Sequence, residues 1–256
     1  MLGASEGIGA AFARELAGAG LSVVLVARRA EPLAALADEL RSKGTTVETV
    51  SLDLAAPDLE ARLQAICDER DVGVLVYNAA LSIVAPFVDT PLADKERILA
   101  VNVRGPLVAA HVFGAAMARR GRGAIVLLSS LAAFFGAPWI ATYGATKAFN
   151  LALGEALAVE LGERGVEVIA CCAGSTETPG FLRATQHARP PAVMTPEAVA
   201  KKTLAMLGRT RGAFVPGAFN KASQWLLARL LPRRTALGIL ANETRKLLPS
   251  AHKAPM

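Results

Sequence analysis

The residues best suited to proton chemistry are a tyrosine and a lysine four apart, in Tyr143-Gly144-Ala145-Thr146-Lys147. On a helix this spacing puts both side chains on one face. A free phenol titrates near about 10, too high for acid/base work at neutral pH. A neighbouring ammonium favours the phenolate, and a three-unit shift needs roughly 4 kcal/mol of differential stabilisation. Ser129 and Ser130 close an apolar run a short distance upstream, and a hydroxyl there can donate to a developing alkoxide beside Tyr143. A nucleophilic serine would need a base and a sharp elbow. His111 falls inside a helical pattern, His187 and His252 fall in irregular segments, and Val126-Leu127-Leu128-Ser129-Ser130-Leu131 is not GxSxG. Hydrolysis is therefore disfavoured.

A second constellation opens the chain. Gly3-Ala4-Ser5-Glu6-Gly7-Ile8-Gly9 spaces its glycines GxxxGxG ahead of a helix-forming run. A loop without Cβ atoms lets backbone N–H groups approach a pyrophosphate, and the helix N-terminus adds its positive dipole end. About 20 residues on, where an acid would grip the ribose 2′-hydroxyl of NAD, stand Arg28 and Arg29. A guanidinium there can pair with the 2′-phosphate of NADP. Glu6, a carboxylate inside the loop, adds no affinity for phosphate.

These residues must be positioned by a regular framework, and the sequence supplies one. Short β-branched runs at 22–26, 47–52, 74–78, 124–129, 166–171 and 213–216 alternate with helical patterns at 8–19, 31–42, 57–70, 91–119, 143–163 and 196–207. That alternation predicts an α/β fold, a doubly wound parallel sheet between two helical layers. The runs are almost wholly apolar, as strands covered on both faces must be. No linker or repeat divides the chain, so a single Rossmann-like domain over 1–256 is expected. Residues 174–195, with Pro179, Pro190 and Pro191, lack periodicity and read as a lid over the site. In the extension 217–256, Trp225, Leu226, Leu227, Leu230 and Leu231 fall on one side of a possible helix. That side reads as a docking face, or alternatively as a weak membrane-surface contact.

Composition narrows the function classes. Apolar residues make up 53% of the chain and charged residues 20%, a globular balance. Every apolar run is interrupted short of the roughly 20 residues of a membrane span, so a soluble, cytoplasmic protein is expected. Cys67, Cys171 and Cys172 offer neither a disulfide framework nor a metal spacing. The net charge of +6 belongs to the tail: residues 201–256 hold 11 Lys and Arg against Glu243 alone. With few interleaved aromatics, that region lacks the marks of a nucleic-acid surface.

Taken in order along the chain, these motifs resemble the short-chain dehydrogenase/reductase family over nearly the whole length. Ser130 stands at that family's usual interval before Tyr143, and Asn102, in Val101-Asn102-Val103-Arg104-Gly105, matches its helix asparagine. The resemblance implies an oxidoreductase that interconverts a carbonyl and a secondary alcohol. It makes Tyr143 the general acid for reduction, Ser130 the carbonyl-orienting group, Lys147 the pKa modulator and ribose ligand, and Asn102 the holder of a relay water. It further implies cofactor contacts from Gly3, Ser5, Glu6, Gly7, Ile8, Gly9, Arg28, Arg29, Asp53, Leu54, Asn78, Gly174, Thr176 and Thr178, with NADP(H) preferred and NAD(H) as the other option. A homodimer or homotetramer through the two long helices is implied as well. Ala80 and Ala173 depart from the family's Gly and Pro. An NADP-binding protein with little turnover is the alternative reading.

Two further expectations complete the reading. Phe134, Phe135, Trp139, Phe181, Leu182, Val193 and Met194 suggest a hydrophobic carbonyl substrate, keto-acyl, steroid-like or aryl. The family's first strand, central in its sheet, has no counterpart before Met1-Leu2-Gly3. An unfilled central slot and a natural chain that starts upstream are therefore expected.

Overall fold

The computed structural model describes residues 1–185 and 193–248. Helix α1 (Gly7–Gly18) leads into β1 (Val23–Ala27), α2 (Ala30–Arg41), β2 (Val47–Ser51), α3 (Leu59–Glu69) and β3 (Val74–Tyr77). After α4 (Leu92–Leu99) and α5 (Gly105–Arg120) come β4 (Gly123–Ser130), α6 (Ala141–Glu160) and β5 (Val166–Ala173). The remainder is α7 (Pro179–Thr185), α8 (Pro196–Leu204), β6 (Gly212–Phe214), α9 (Ala218–Arg229) and α10 (Arg233–Arg245). All strand pairs are parallel: β1 with β2, and β3, β4, β5 and β6 side by side in that order.

Residues 1–3 join the two groups. Leu2 bridges to Val26 on β1 and to Tyr77 on β3. Its N–H donates to the Val76 carbonyl at 2.9 Å, Gly3 N–H donates to Val26 O at 2.8 Å, and Asn78 N–H donates to Leu2 O at 2.9 Å. The sequence predicts an unfilled slot here; instead these residues occupy its carboxyl end and pair both neighbours where the glycine loop begins. The terminal amine donates to Val24 O at 2.7 Å, and burial pulls its pKa down to about 5.

Apolar packing covers both faces. Phe12, Leu16, Leu33, Leu40 and Val199 from α1, α2 and α8 pack on one face; Leu63, Phe113, Met117 and Ala158 from α3, α5 and α6 pack on the other. Six consecutive residues of β4 are buried, as are the last six of β5, the pattern of strands shielded on both sides.

Three expectations need correction. The helix over 91–119 is not uniform: a π-turn at Ala100–Arg104 separates α4 from α5. The combined segment Leu92–Arg120 is long and apolar enough to cross a membrane, but 56% of its most apolar window is buried inside the protein. The lid carries helix α7 and a bridge between Thr176 and Met194, while Pro190, Pro191 and His187 lie outside the described residues. The apolar side of α9 is only partly covered within the chain: Leu227 and Leu231 are half-buried, while Trp225, Leu226 and Leu230 are 54%, 47% and 59% exposed.

Candidate active site

The expected site residues converge on the carboxyl edge of the sheet, because each follows or ends a parallel strand. Arg28 and Arg29 follow β1, Asp53 and Leu54 follow β2, Asn78 follows β3, Ser130 ends β4, and Gly174 follows β5. Helix α6 then carries Tyr143 and Lys147 across that edge.

The two serines separate by their partners. Ser129 is 4% exposed and donates to Lys147 O at 2.7 Å, tying β4 to α6. Ser130 accepts from Ala132 N–H at 3.2 Å and lies close enough to the Tyr143 hydroxyl to influence its titration. Low-polarity surroundings push the Tyr143 phenol above its ordinary value, and Ser130 draws it part of the way back. Lys147 is 3% exposed. Its ammonium donates to Leu128 O at 2.7 Å and lies 5.5 Å from the centre of the Tyr143 ring. Burial lowers its pKa to about 8. The expected lowering of the phenol by Lys147 is not seen in the cofactor-free protein: burial raises it, and Ser130 is the group that opposes that burial.

Asn102 sits in the π-turn for a structural reason. Gly105 N–H bonds Ala100 O rather than Val101 O, and Pro106 has no N–H to offer. The Val101 carbonyl, left without a helical donor, accepts from the buried Tyr77 hydroxyl at 2.6 Å. Only a glycine fits at 105, because a Cβ there would overlap that hydroxyl. The turn aims Asn102, fully buried, at Leu81 and α6. Its Oδ1 accepts from Leu81 N–H at 2.8 Å, and its Nδ2 donates to Leu81 O at 2.9 Å and to Thr146 Oγ1 at 3.0 Å. Thr146 donates in turn to Tyr143 O at 2.7 Å. A short π segment at a functional position is a recurrent device. The Gly105-Pro106 pair was the sequence signal for it, and Tyr77 and Thr146 are the supporting residues that motif spacing missed.

The glycine loop is stitched from below. Asn78 Nδ2 donates to Gly3 O at 2.9 Å. At Gly9 a Cβ would collide with Gly3 O and stand 2.7 Å from Asn78 Nδ2, so the loop can close only without one. Gly7 and Ile8 begin α1, where first-turn N–H groups have no helical acceptor and suit a phosphate. Thr178 Cγ2 packs against Gly7 from the turn after β5. In that turn Thr176 is buried and donates to Gly174 O at 3.0 Å. These features fit a dinucleotide laid across the strand ends, with loop and turn on either side.

Charges beside the glycine loop and after β2 are mutually engaged. Arg29 Nη2 lies 2.8 Å from Glu6 Oε2 and 3.4 Å from Ser5 Oγ, so Glu6 holds the arginine against the loop. Desolvation acts to raise the pKa of Asp53, but the Ala55 N–H and the Arg97 guanidinium, at 2.7 Å, hold it below its ordinary value. Asp53 and Arg97 lie 44 residues apart, beyond the reach of motif reading. Buried Asn220 is another such residue. A Cβ on Gly174 would stand 2.6 Å from its Nδ2, which donates to Pro216 O at 3.1 Å.

The loop 131–140 joins Ser130 to α6 under α10. Arg233 lies over Phe135 and Arg245 over Trp139, 5.8 and 5.4 Å from the ring centres. Trp139 adopts φ +67°, and its carbonyl accepts from Ala85 N–H at 2.9 Å. Phe134 and Phe135 are half-buried and buried; Phe181, Leu182, Val193 and Met194 are half-buried along the lid.

Comparison with known proteins agrees with this geometry. The short chain dehydrogenase family matches residues 1–188. A 7beta-hydroxysteroid dehydrogenase of Collinsella aerofaciens is 37% identical over 183 residues, 71% of this chain and 70% of that protein. A solved 7beta-hydroxysteroid dehydrogenase structure superposes with TM-score 0.88 at 31% identity, covering 94% of this chain and 95% of the other. A short-chain dehydrogenase from Sphingobium yanoikuyae in complex with NADPH superposes with TM-score 0.79 at 30% identity, over 91% and 95% of the two chains.

Proposed function

This chain belongs to the short chain dehydrogenase family, whose reaction it performs on CH–OH groups with a nicotinamide cofactor, and from that premise we propose its residue roles, cofactor preference and substrate. In the reductive direction Tyr143 gives its proton to the carbonyl oxygen while Ser130 donates a hydrogen bond to the same oxygen. The bound nicotinamide supplies the hydride. Lys147, anchored on Leu128 O, holds a positive charge beside the phenol and would hold the ribose of the bound cofactor. Proline at 106 removes the donor that an α-helix would offer the Asn102 carbonyl, which suits that carbonyl to a water leading to Lys147. The observation that carries this reading is the convergence of Ser130 at the end of β4 with Tyr143 and the buried, carbonyl-anchored Lys147, whose ammonium lies 5.5 Å from the Tyr143 ring centre. It is tested by the Tyr143→Phe variant taken up in the Discussion.

NADP(H) is the preferred cofactor. Arg29 lies against Ser5 of the glycine loop and Arg28, next to it in sequence, is exposed; both support the choice, as does the NADPH complex of the Sphingobium relative. Charge-assisted hydrogen bonds are worth roughly 1.5–3 kcal/mol. Arg28→Ala with Arg29→Ala should therefore raise KM for NADPH at least about tenfold and leave KM for NADH unchanged. Glu6→Gln frees Arg29 from its carboxylate and should lower KM for NADPH. A wild type that favours NADH in initial-rate assays contradicts this assignment.

The substrate is a hydrophobic ketone of steroid-like or keto-acyl type. Phe134, Phe135 and Trp139 on the loop, with Phe181, Leu182 and Met194 on the lid, support an apolar site, as do the hydroxysteroid dehydrogenase relatives.

The working assembly is a homo-oligomer through α4–α5 and α6. Leu99 and Leu107 on the first face and Val159 on the second are 46%, 47% and 66% exposed, a cost relieved by mutual burial. Light scattering should give two or four times the 26.6 kDa chain mass, and Leu107→Glu with Val159→Glu should give the single chain.

A further inference from the structure

Helix α9 presents apolar side chains to solvent on a surface that is otherwise basic. Phe219, Ala222, Leu226 and Leu230 recur at i, i+3, i+7 and i+11, all exposed, with Trp225 54% exposed on the same flank. A contiguous apolar strip of this kind marks an interaction surface. Lys221, Arg229, Arg233 and Arg234 are exposed around it, and from 218 to 242 the chain has no acid. Glu243, the first one, is paired with Lys246 at 2.6 Å.

The charge selects the occupant. A second copy docking face to face would set this cationic strip against itself, a like-charge juxtaposition that interfaces avoid. An anionic lipid surface meets both requirements, since it attracts the cations and admits apolar side chains and a tryptophan at its boundary. We infer that α9 docks the enzyme on anionic lipid membranes.

The position of α9 gives the contact a use. Its first turn is rooted in the substrate side of the site: Asn220 Nδ2 lies 3.5 Å from Met194 Sδ on the lid and packs against Gly174. A membrane under α9 therefore lies beside the lid, where a lipophilic ketone can pass from bilayer to site. This use rests on the hydrophobic-substrate reading above; the docking itself does not.

The test is co-sedimentation with phosphatidylcholine vesicles, with and without one-third phosphatidylglycerol, at low and high salt. Binding to the anionic vesicles should exceed binding to neutral ones at least tenfold, fall with salt, and blue-shift tryptophan emission in a Trp139→Phe background that leaves Trp225 as the sole reporter. Leu226→Ser with Leu230→Ser should lose the vesicles at least tenfold while keeping wild-type turnover of a small water-soluble ketone, which reads the catalytic proposal separately. Equal sedimentation with neutral vesicles, none with either, or a smaller assembly in solution from the double variant would each overturn the inference, the last by making α9 an interface between copies.

Discussion

Tyr143→Phe should reduce ketone turnover by about 10²–10⁴-fold, the range for removal of a positioned general acid, while NADPH still binds. The substitution deletes one hydroxyl and leaves the ring, whose centre lies 5.5 Å from the Lys147 ammonium. Lys147 keeps its bond to Leu128 O, Asn102 keeps Leu81 and Thr146, and the glycine loop keeps Asn78. Stability should change by no more than the roughly 0.5–1.5 kcal/mol that one hydrogen bond contributes. The loss should fall on kcat, because the missing interaction is made with the reacting oxygen. A loss confined to KM would make Tyr143 a binding residue only.

Lys147→Met should have two effects of opposite sign. Turnover should fall at least about 100-fold, since the charge beside the phenol and the proposed ribose ligand both disappear. Stability of the cofactor-free protein should rise at neutral pH. The folded pKa is lowered to about 8 by burial, against about 10.4 unfolded. Below pH 8 both states are protonated and the burial cost is fully present. Between about 8 and 10 the unfolded state carries more protons, so stability climbs with pH, by about 3 kcal/mol in all for this group. Methionine removes that cost at every pH, less what the Leu128 bond contributed. Urea midpoints across pH 7–10.5 should therefore rise for the wild type relative to Lys147→Met, with the variant ahead at pH 7 and the gap closing by pH 10. Parallel curves would mean that Lys147 is not desolvated in the folded protein.

Much of this was legible in the sequence, and the parts that were not share a cause. The strands declare themselves because apolar β-branched runs have few other uses, and β2 begins and β4 ends within a residue of expectation. The Tyr143–Lys147 spacing is local and survives any packing. What spacing cannot show is the partner: Glu6 meets Arg29 only because β1 returns beside the glycine loop, and Asp53 meets Arg97 across the sheet edge. The π-turn at Ala100–Arg104 was hidden by an unbroken apolar pattern, although Gly105-Pro106 marked the place where the ladder had to shift. Ser130 was told from Ser129 by the family's interval alone; strand alternation supplies the physical reason, since it sends the Ser129 hydroxyl into α6 and turns Ser130 to the other face. The α9 strip went the opposite way from its pattern: helical periodicity locates an apolar face but not whether anything covers it.

Tyr143, set by Ser130 and Lys147, is the proposed proton donor that completes carbonyl reduction by a nicotinamide hydride. The most direct test of that role is single-turnover reduction of a steroid-like ketone with NADPH deuterated at the transferable position, followed by mass analysis of the alcohol. The wild type should place one deuterium on the carbinol carbon, and Tyr143→Phe, with cofactor bound to the same occupancy by fluorescence, should place almost none in the same time. Transfer at the wild-type rate by Tyr143→Phe, or saturating cofactor binding by the wild type with no labelled alcohol from any ketone, would contradict it.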